Sequence, residues 1–352
     1  MHYYSHTDIN LKTTFKDALL ASLANDGGLW MPSVIPSFSE SELINLAAMN
    51  FSDCAAHLSE YFVSNQLNNK TLNKICYDAY NFKLPIKTTL GDEQNPNVTS
   101  NSQDYILELF HGPTLAFKDF AARFMARCTS ELLSKSIKRK TILVATSGDT
   151  GGAIGDAFLN QKNINVIILF PKNGVSKVQE QQLCTIGNSY SNIQAVKVNG
   201  TFDDCQKLVK DAFSNKSMSK KFSLMSANSI NVGRVIPQSF YYLWSSLQVK
   251  ATNPKLPIVY SIPSGNLGNL TGGLLAKKMG APIDRFIVGN NANDPFVRYL
   301  KSGNYNPLPS IPTLSNAMDI GRPNNFPRIL ELYSNNYGNI TEVCKGFSFS
   351  DS

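Results

Sequence analysis

Strands and helices are predicted to alternate along the middle of the chain. The order of apolar and polar positions predicts strands at 105–110, 141–146, 165–170 and 193–198. Helices are predicted between and after these strands, at 119–134, 151–161, 176–186 and 202–213. This alternation predicts βαβ units that form a parallel sheet with helices on both faces.

A second run of the same kind follows, and a different pattern precedes both. The second run is predicted as helix 229–249, strand 258–262, helix 270–279 and strand 285–289. Residues 290–328 are then rich in loop-forming residues, and no further strand is predicted, so the second α/β unit is expected to be incomplete. In the first hundred residues, helices are predicted at 15–23, 42–49 and 54–63.

The chain is expected to divide into three regions. Residues 91–103 carry Gly, Asn, Pro and Ser with few apolar residues, which is typical of a domain boundary. We therefore predict a mainly helical N-terminal region at 1–100, an α/β domain at 101–225 and a second α/β domain at 226–352.

The composition is that of a globular protein. Of the 352 residues, 42% are hydrophobic and 17% are charged, and aliphatic stretches such as 166–170 are far shorter than the roughly 20 residues of a membrane span. The N-terminus has no basic start followed by an apolar stretch, so no secretory signal is predicted and the expected compartment is the cytoplasm. The six scattered cysteines are expected to act as small buried hydrophobes.

Metal chemistry and nucleic-acid binding are not predicted. The four histidines form no HExxH motif and no cluster with cysteine, so a zinc ligand set is lacking. The net charge of +7 can favour anionic ligands but is too modest to indicate nucleic acid. The densest basic cluster, within 135–140, follows a predicted helix, where cations complement the helix dipole.

One lysine stands in an unusual setting. Lys118 lies in the segment FHGPTLAFKDF at 110–120, after a predicted strand and at the entrance of a helix, among apolar residues. Desolvation favours the neutral form of an amine, which can then form a Schiff base with an aldehyde. The alternative is a lysine whose stem covers a helix start while its amine reaches solvent.

Two glycine-containing loops each connect a predicted strand to a predicted helix. They are SGDTGG at 147–152 and PSGNLGN at 263–269. Glycine lets the main chain approach an anion closely, and a helix N-terminus offers free N–H groups and the positive end of the dipole. Neither loop is a GxGxxG or GxxxxGK[ST] motif, so neither a dinucleotide nor a nucleoside triphosphate is indicated. Taken alone, either loop is also compatible with a sharp turn that binds nothing.

The three segments together narrow the range of ligands that the site could bind. A lysine suited to an aldehyde, followed by two anion-binding loops, fits a phosphorylated aldehyde cofactor and an anionic amino-acid substrate. Pyridoxal 5'-phosphate meets this description, because it needs a lysine for its aldehyde and a cradle for its single phosphate.

At these residues the sequence resembles the threonine synthase family of fold-type II pyridoxal-phosphate enzymes. The matching motifs are HGPTLAFKDF at 111–120, ATSGDTGGA at 145–153, SANSINVGR at 226–234, PSGNLGNLTGGLLAKKMG at 263–280 and LSNAMDIGRPNN at 314–325. The resemblance implies two open, mainly parallel sheets flanked by helices, in addition to the N-terminal region. The family normally continues past the point where this chain stops, so the resemblance also implies a missing C-terminal segment, which would supply a hydroxyl to the cofactor's pyridine nitrogen.

The resemblance also implies roles for individual residues. Lys118 would carry the cofactor as a Schiff base, and Asp149 would lie near its phenolic oxygen. The cofactor phosphate would be held by Gly265, Asn266, Leu267, Gly268 and Asn269. The substrate would contact Ser147, Gly148, Thr150 and Gly151 near its carboxylate, and Ser226, Asn228, Asn231 and Arg234 near its phosphate. A guanidinium matches phosphate oxygens bidentately, although an exposed helical arginine is the alternative for Arg234.

The reaction implied by the resemblance turns O-phospho-L-homoserine and water into L-threonine and phosphate. Lys118 would also move the α-proton and the β-proton of the substrate. Two alternatives are a threonine synthase-like phospholyase, which would form 2-oxobutyrate, and a truncated non-catalytic homologue. The expected partner is a small-molecule substrate, with no nucleic acid and no membrane, and the chain is expected to be a monomer or a homodimer.

Overall fold

The N-terminal region begins with a small antiparallel sheet. The computed structural model describes residues 1–63, 65–88, 104–186 and 191–333. Strands β1 (Tyr3–Ser5), β2 (Asp8–Thr13) and β3 (Trp30–Pro32) pair in the order β2-β1-β3. The sequence pattern predicted only helices here. These strands are short, and β3 pairs with a strand some 25 residues earlier, so local periodicity carries little sign of them.

Four helices follow or interrupt this sheet. They are α1 (Phe15–Ala21), α2 (Glu40–Ala47), α3 (Phe51–Val63) and α4 (Asn69–Ala79). The first three confirm predicted helices, whereas α4 was not predicted because its sequence is mostly polar. A narrow buried stripe marks α4 nevertheless, at Leu72, Ile75, Cys76 and Ala79, the spacing of one helical face. The side chain of Asn68 caps the helix by accepting a hydrogen bond from the Thr71 N–H.

The next two strands differ from the prediction. Strands β4 (Ile86–Thr88) and β5 (Tyr105–Leu107) pair antiparallel with each other. The prediction that a strand at 105–110 opens the parallel sheet is therefore wrong, since β5 pairs outside that sheet. The predicted boundary at 91–103 lies outside the described residues, and the three-region division stays a prediction. Helix α5 (Lys118–Leu132) begins at the lysine singled out above.

A four-stranded parallel sheet forms the middle of the chain. Its strands are β6 (Lys140–Ala145), β7 (Ile164–Pro171), β8 (Ile193–Val198) and β9 (Leu224–Met225), in the order β8-β7-β6-β9. The connecting helices are α6 (Asp149–Phe158), α7 (Lys177–Thr185), α8 (Phe202–Ser214) and α9 (Lys216–Phe222). The predicted alternation is confirmed, although α9 and the two-residue strand β9 were missed.

A second parallel pair follows a long buried helix. This part contains α10 (Val232–Thr252), β10 (Val259–Pro263), α11 (Gly268–Lys278) and β11 (Arg285–Gly289), and β10 pairs parallel with β11. Most of α10 is buried, because it packs against α11, α5 and α3. Between residues 290 and 333 the structure contains no strand, as predicted, but it contains helices α12 (Pro295–Ser302) and α13 (Phe326–Tyr333) and a single 3-10 turn (Asn316–Met318). The prediction of loops throughout 290–328 is wrong for α12, whose Phe296 and Tyr299 face the core.

A chain of aromatic rings fixes the helices that carry the site. Phe51 on α3 meets Phe120 on α5 with ring centroids 5.7 Å apart, and Phe120 meets Tyr241 on α10 at 5.4 Å. Both pairs are edge-to-face, the arrangement that aromatic quadrupoles favour. The N-terminal region, the start of α5 and the middle of α10 are therefore packed into one core.

Membrane-spanning helices, metal-binding groups and the burial of the cysteines were each the subject of a prediction. Within the described residues, no helix is long and apolar enough to cross a bilayer, and no group of three His, Cys, Asp or Glu side chains is close enough to hold a metal ion. Cys54, Cys76, Cys128 and Cys205 are buried, as predicted, whereas Cys184 is exposed. Cys344 lies outside the described residues.

Candidate active site

A cavity of about 240 Å³ lies where several strand ends and helix starts meet. It opens beside the carboxyl ends of β6 and β10, the edge at which ligands bind in parallel α/β sheets. The predicted site residues that line it are Lys118, Ser147, Asp149, Thr150, Asn228, Arg234, Gly265, Asn266, Leu267, Gly268 and Asn269. Residues from four motifs that are distant in sequence are thus brought to one cavity.

Lys118 and Asp149 form an ion pair across this cavity. The Nζ atom of Lys118 donates a hydrogen bond to Asp149 Oδ1 at 2.6 Å, and both side chains are largely buried, at 18% and 26% exposure. The Lys118 amine also lies 5.7 Å from the centroid of the Phe117 ring, within the range of a cation–π contact. The apolar surroundings predicted for Lys118 are present in part, but the carboxylate partner was not predicted.

The loop before α5 is folded by Asp119. This fully buried carboxylate accepts hydrogen bonds from the Thr114 N–H at 2.9 Å and the Thr114 hydroxyl at 2.6 Å. A Cβ atom at Gly112 would collide with the Asp119 side chain, so glycine permits this close approach. The loop therefore delivers Lys118 to the first turn of α5 in a fixed position.

The loop at 147–151 is organised by a residue that the sequence analysis passed over. The Thr146 hydroxyl accepts hydrogen bonds from the N–H groups of Gly148 at 3.0 Å and Gly151 at 2.9 Å, and donates one to the Gly148 carbonyl. Gly148 has a φ of +147°, a conformation that side chains disfavour. Ser147, Asp149 and Thr150 reach the cavity as a result, whereas Gly148 and Gly151 shape the loop behind it.

The charge of Asp149 is set by its neighbours. Burial acts to raise its pKa, but the Lys118 charge and hydrogen bond, the Thr150 N–H and the Arg234 charge together hold the pKa below its ordinary value. Burial lowers the pKa of Arg234 to about 10 against the attraction of Asp149 and Asp119. The cavity thus presents one carboxylate between two basic side chains.

The predicted phosphate loop forms the N-terminus of α11. Leu267 is the N-cap residue with a φ of +58°, and it makes no side-chain capping hydrogen bond. The first N–H groups of a helix have no partner within the helix, so they are available to an anion here. Asn269 accepts hydrogen bonds from the hydroxyls of Tyr241 at 2.8 Å and Tyr242 at 2.7 Å, which anchor the loop to α10.

Asn266 joins this loop to two other segments. Its Nδ2 atom donates to the Ser229 hydroxyl at 2.9 Å, and its Oδ1 atom accepts from the Asn324 N–H at 2.6 Å. A Cβ atom at Gly265 would lie 2.8 Å from the Cα atom of Met318, so the loop also passes close to the 3-10 turn. Hydrogen bonds therefore hold Ser229, Asn266 and Asn324 in place relative to one another.

The predicted residues of the segment 226–234 have different roles in the structure, because some line a cavity and one is buried behind it. Asn228 and Arg234 line the cavity, and Nη1 of Arg234 donates to the Ala227 carbonyl at 2.5 Å. Arg234 is buried rather than exposed, at 3%, and its Nε atom finds no hydrogen-bond partner within the described residues. The amide of Asn231 is fully buried and donates to Leu19, Ser22 and Ser226, so the structure does not bring it to the cavity.

A second cavity of about 500 Å³ adjoins the first. The two share Ala145, Gln206, Asn228 and Asn324 in their linings. Ser226 lines only this second cavity, beside residues of the N-terminal region such as Ser22 and Leu29. The site therefore continues from the Lys118 cavity into a more apolar space.

The first cavity also contains polar residues that the sequence analysis missed. They are Thr146, Gln206, Ser229, Gln238, Ser264 and Asn324. The Ser264 hydroxyl is buried and, among the described residues, has no hydrogen-bond partner. Thr146, Ser229, Ser264 and Asn324 lie within recognised motifs, and this was the signal available for them. Gln206 and Gln238 lie outside every such motif.

The cavity fits pyridoxal phosphate by the chemistry of its lining. An uncapped helix N-terminus with a glycine-asparagine loop suits one phosphate group, and a lysine amine on the same cavity suits an aldehyde. The unpartnered polar atoms Ser264 Oγ and Arg234 Nε offer further donors to an anionic ligand.

Comparison with known proteins gives a consistent result. The chain matches the family described as "Threonine synthase N terminus" over residues 2–80 and the family described as "Pyridoxal-phosphate dependent enzyme" over residues 99–345. It is 42% identical to the threonine synthase of Haemophilus influenzae over 353 aligned residues, which covers 100% of this chain and 78% of that protein.

Two solved structures have the same fold over nearly the whole chain. The crystal structure of threonine synthase from Escherichia coli is 39% identical with a TM-score of 0.84, and covers 95% of this chain and 74% of that one. The structure of PLP-bound threonine synthase from Brucella melitensis is 35% identical, with a TM-score of 0.85. The match covers 100% of this chain and 75% of that one. The predicted family, fold type and cofactor are thereby confirmed. The chain belongs to the threonine synthase family of fold-type II, pyridoxal-phosphate-dependent lyases.

Proposed function

We propose that this protein converts O-phospho-L-homoserine and water into L-threonine and inorganic phosphate, with Lys118 as its catalytic residue. The observation that carries the proposal is the convergence on one cavity of Lys118, its partner Asp149 and the uncapped N-terminus of α11. A cytoplasmic location and a monomeric or homodimeric state are part of the same proposal.

Residues on two sides of the cavity would hold the cofactor. Lys118 Nζ would bind its aldehyde carbon, and the N–H groups of 265–269 would bind its phosphate. Asp149 would lie beside the ring. When bound, pyridoxal phosphate supplies an electron sink for carbanion chemistry at the substrate.

Lys118 would then act as the proton carrier. Once its Nζ atom is free, it would remove the proton from the substrate Cα and later move the proton at Cβ, while the γ-phosphate leaves. The 2.6 Å hydrogen bond from Lys118 Nζ to Asp149 Oδ1 supports this role, because it holds the amine at one position in the cavity.

Polar groups around Lys118 would orient the two anionic ends of the substrate. We assign the carboxylate to the loop at 147–151, where Ser147 and Thr150 reach the cavity and Gly148 and Gly151 supply the backbone shape. We assign the phosphate to Arg234 and Asn228, with Ser226 on the adjoining cavity. Asn231 would act by holding the Ser226 carbonyl in place and not as a direct ligand.

Product analysis of the purified protein tests the proposal. The protein is incubated with pyridoxal phosphate and O-phospho-L-homoserine, and threonine, phosphate and 2-oxobutyrate are quantified. We expect equal amounts of threonine and phosphate, and none from the K118A variant. Phosphate with 2-oxobutyrate in place of threonine would show a phospholyase, and no phosphate from a folded, cofactor-loaded protein would contradict the proposal.

A further inference from the structure

A fully buried arginine lies behind the site without lining either cavity. Arg328 on α13 is 1% exposed. Its Nη1 atom donates to the Ser229 carbonyl at 2.9 Å and to Asn325 Oδ1 at 2.6 Å, and its Nη2 atom donates to the Ile230 carbonyl at 2.7 Å and the Trp30 carbonyl at 3.3 Å. The side chain thus donates hydrogen bonds to two consecutive carbonyls of the segment that carries Asn228 and Arg234.

The same arginine is linked to the phosphate loop through Asn325. The Nδ2 atom of Asn325 donates to the Asn266 carbonyl at 3.2 Å, and the Asn325 N–H donates to the same oxygen at 3.3 Å. Asn266 in turn donates to the Ser229 hydroxyl at 2.9 Å. Arg328, Asn325, Asn266 and Ser229 therefore form a closed ring of hydrogen bonds that joins α13, the phosphate loop and the substrate-phosphate segment.

The geometry of a guanidinium makes this ring specific. Its donors lie in one plane at fixed angles, so four acceptors from three segments are held in a defined arrangement. All four acceptors are neutral oxygens, and burial lowers the pKa of Arg328 to about 9. A buried cation held this way has a high cost, which a purely apolar side chain of similar size would avoid.

We propose that Arg328 is a positioning residue that sets the relative placement of the two phosphate-binding segments, one for the cofactor and one for the substrate. Its effect is transmitted through Ser229 and Ile230 on one side and through Asn325 and Asn266 on the other. The part of this inference that concerns the substrate phosphate rests on the proposed function. The part that concerns the cofactor phosphate rests only on the phosphate loop.

The R328K variant tests this role, because lysine keeps the charge but cannot reach four acceptors at once. Arg123 supplies a matched control. It is also buried, at 8%, and donates to the carbonyls of Ala79 and Asp78, to Asn81 Oδ1 and, at 3.4 Å, to the carboxylate of Asp156. None of these partners belongs to the ring. Each variant is examined by urea unfolding, by titration with pyridoxal phosphate, and by steady-state kinetics with O-phospho-L-homoserine.

We expect R328K and R123K to be destabilised similarly. Only R328K is expected to show a roughly tenfold higher Kd for pyridoxal phosphate and a roughly tenfold higher KM, the size of one lost charged hydrogen bond at each segment, with kcat reduced less than KM is raised. Values of Kd and KM within twofold of those of the parent protein would overturn the proposal. An equal rise in R123K would also overturn it, because the effect would then follow from lost stability.

A second variant keeps the test decisive if R328K does not fold. N325A removes the side chain that joins Arg328 to the Asn266 carbonyl, although the main-chain N–H of residue 325 can still donate to that carbonyl. The arginine keeps its hydrogen bonds to the Ser229 and Ile230 carbonyls. We expect the Kd for pyridoxal phosphate to rise more than KM does. A parent protein that binds the cofactor but makes no threonine would contradict the proposed function, while the comparison of Kd values would still decide the role of Arg328.

Discussion

Lys118 and Asp149, 31 residues apart in sequence, form a 2.6 Å ion pair that joins the first turn of α5 to the first turn of α6. The pair connects the residue proposed to hold the cofactor with the loop proposed to hold the substrate carboxylate. Because Lys118, Arg234 and the Thr150 N–H all favour the ionised form of Asp149, this carboxylate contributes to the stability of the fold.

The D149N variant is expected to lose that contribution in a pH-dependent way. The folded-state pKa of Asp149 is lowered, so its stabilisation is fully present above the unfolded pKa of about 3.9 and is lost as the pH falls through the folded value. We expect D149N to be less stable by about 2 kcal/mol at neutral pH, and the difference to shrink below about pH 4. Urea unfolding at a series of pH values measures this difference.

Asp119 offers a control with the opposite sign. Burial raises its pKa above the ordinary value, although Thr114 donates to it. The stability lost in D119N should therefore be largest below about pH 4 and should decrease as the pH rises. A D149N difference that stays constant or grows as the pH falls would contradict the role given to the ion pair.

The hydroxyl of Thr146 is expected to be needed for the loop at 147–151. T146V keeps the shape but removes the acceptor of the Gly148 and Gly151 N–H groups, so we expect a loss of about 2 to 3 kcal/mol and a higher KM. T129V is the matched control, since the buried Thr129 hydroxyl only donates to the Met125 carbonyl of its own helix. Equal losses in the two variants, measured by urea unfolding, would show that Thr146 has no special role.

Arg234 is expected to bind the substrate phosphate. R234Q should raise KM for O-phospho-L-homoserine and the inhibition constant of inorganic phosphate by about tenfold or more, because a charged hydrogen-bond donor is lost. R298A, which removes a partly exposed arginine paired with Asp294, should change neither value. An R234Q variant with a lower kcat but unchanged phosphate inhibition would argue against phosphate binding at this residue.

Gly265 is expected to be essential for cofactor affinity. The Cβ atom of G265A would lie 2.8 Å from the Cα atom and 3.1 Å from the carbonyl oxygen of Met318, and main-chain atoms cannot rotate away. We expect the phosphate loop to shift and the Kd for pyridoxal phosphate to rise at least tenfold. G289A, whose Cβ would make only ordinary contacts beyond 3.5 Å, should leave the Kd within twofold. Similar Kd values for both variants would contradict this account of the loop.

Sequence reasoning succeeded where a feature is local. Lys118 at a helix start and the glycine-asparagine loop at 263–269 can be recognised within a dozen residues, and the strand-helix alternation around them is periodic. Strand β8 and strand β11 have the predicted bounds for the same reason.

It failed where a role depends on contacts that are distant in sequence. The family resemblance assigned Asn231 to the substrate phosphate, but its amide donates a hydrogen bond to the Leu19 carbonyl, 212 residues away. Arg328 grips the Ser229 carbonyl across 99 residues and lies outside every recognised motif. Local pattern carries no information on such pairings, because they are fixed by how the helices pack.

Covalent trapping of the cofactor tests whether Lys118 is the residue that binds pyridoxal phosphate. The protein is loaded with pyridoxal phosphate, dialysed, reduced with borohydride and digested, and the labelled peptide is identified by mass spectrometry. We expect one label, on the Nζ atom of Lys118, together with a retained cofactor absorption band that the K118A variant lacks. A label on another lysine, or a folded K118A variant that retains the band, would contradict this expectation.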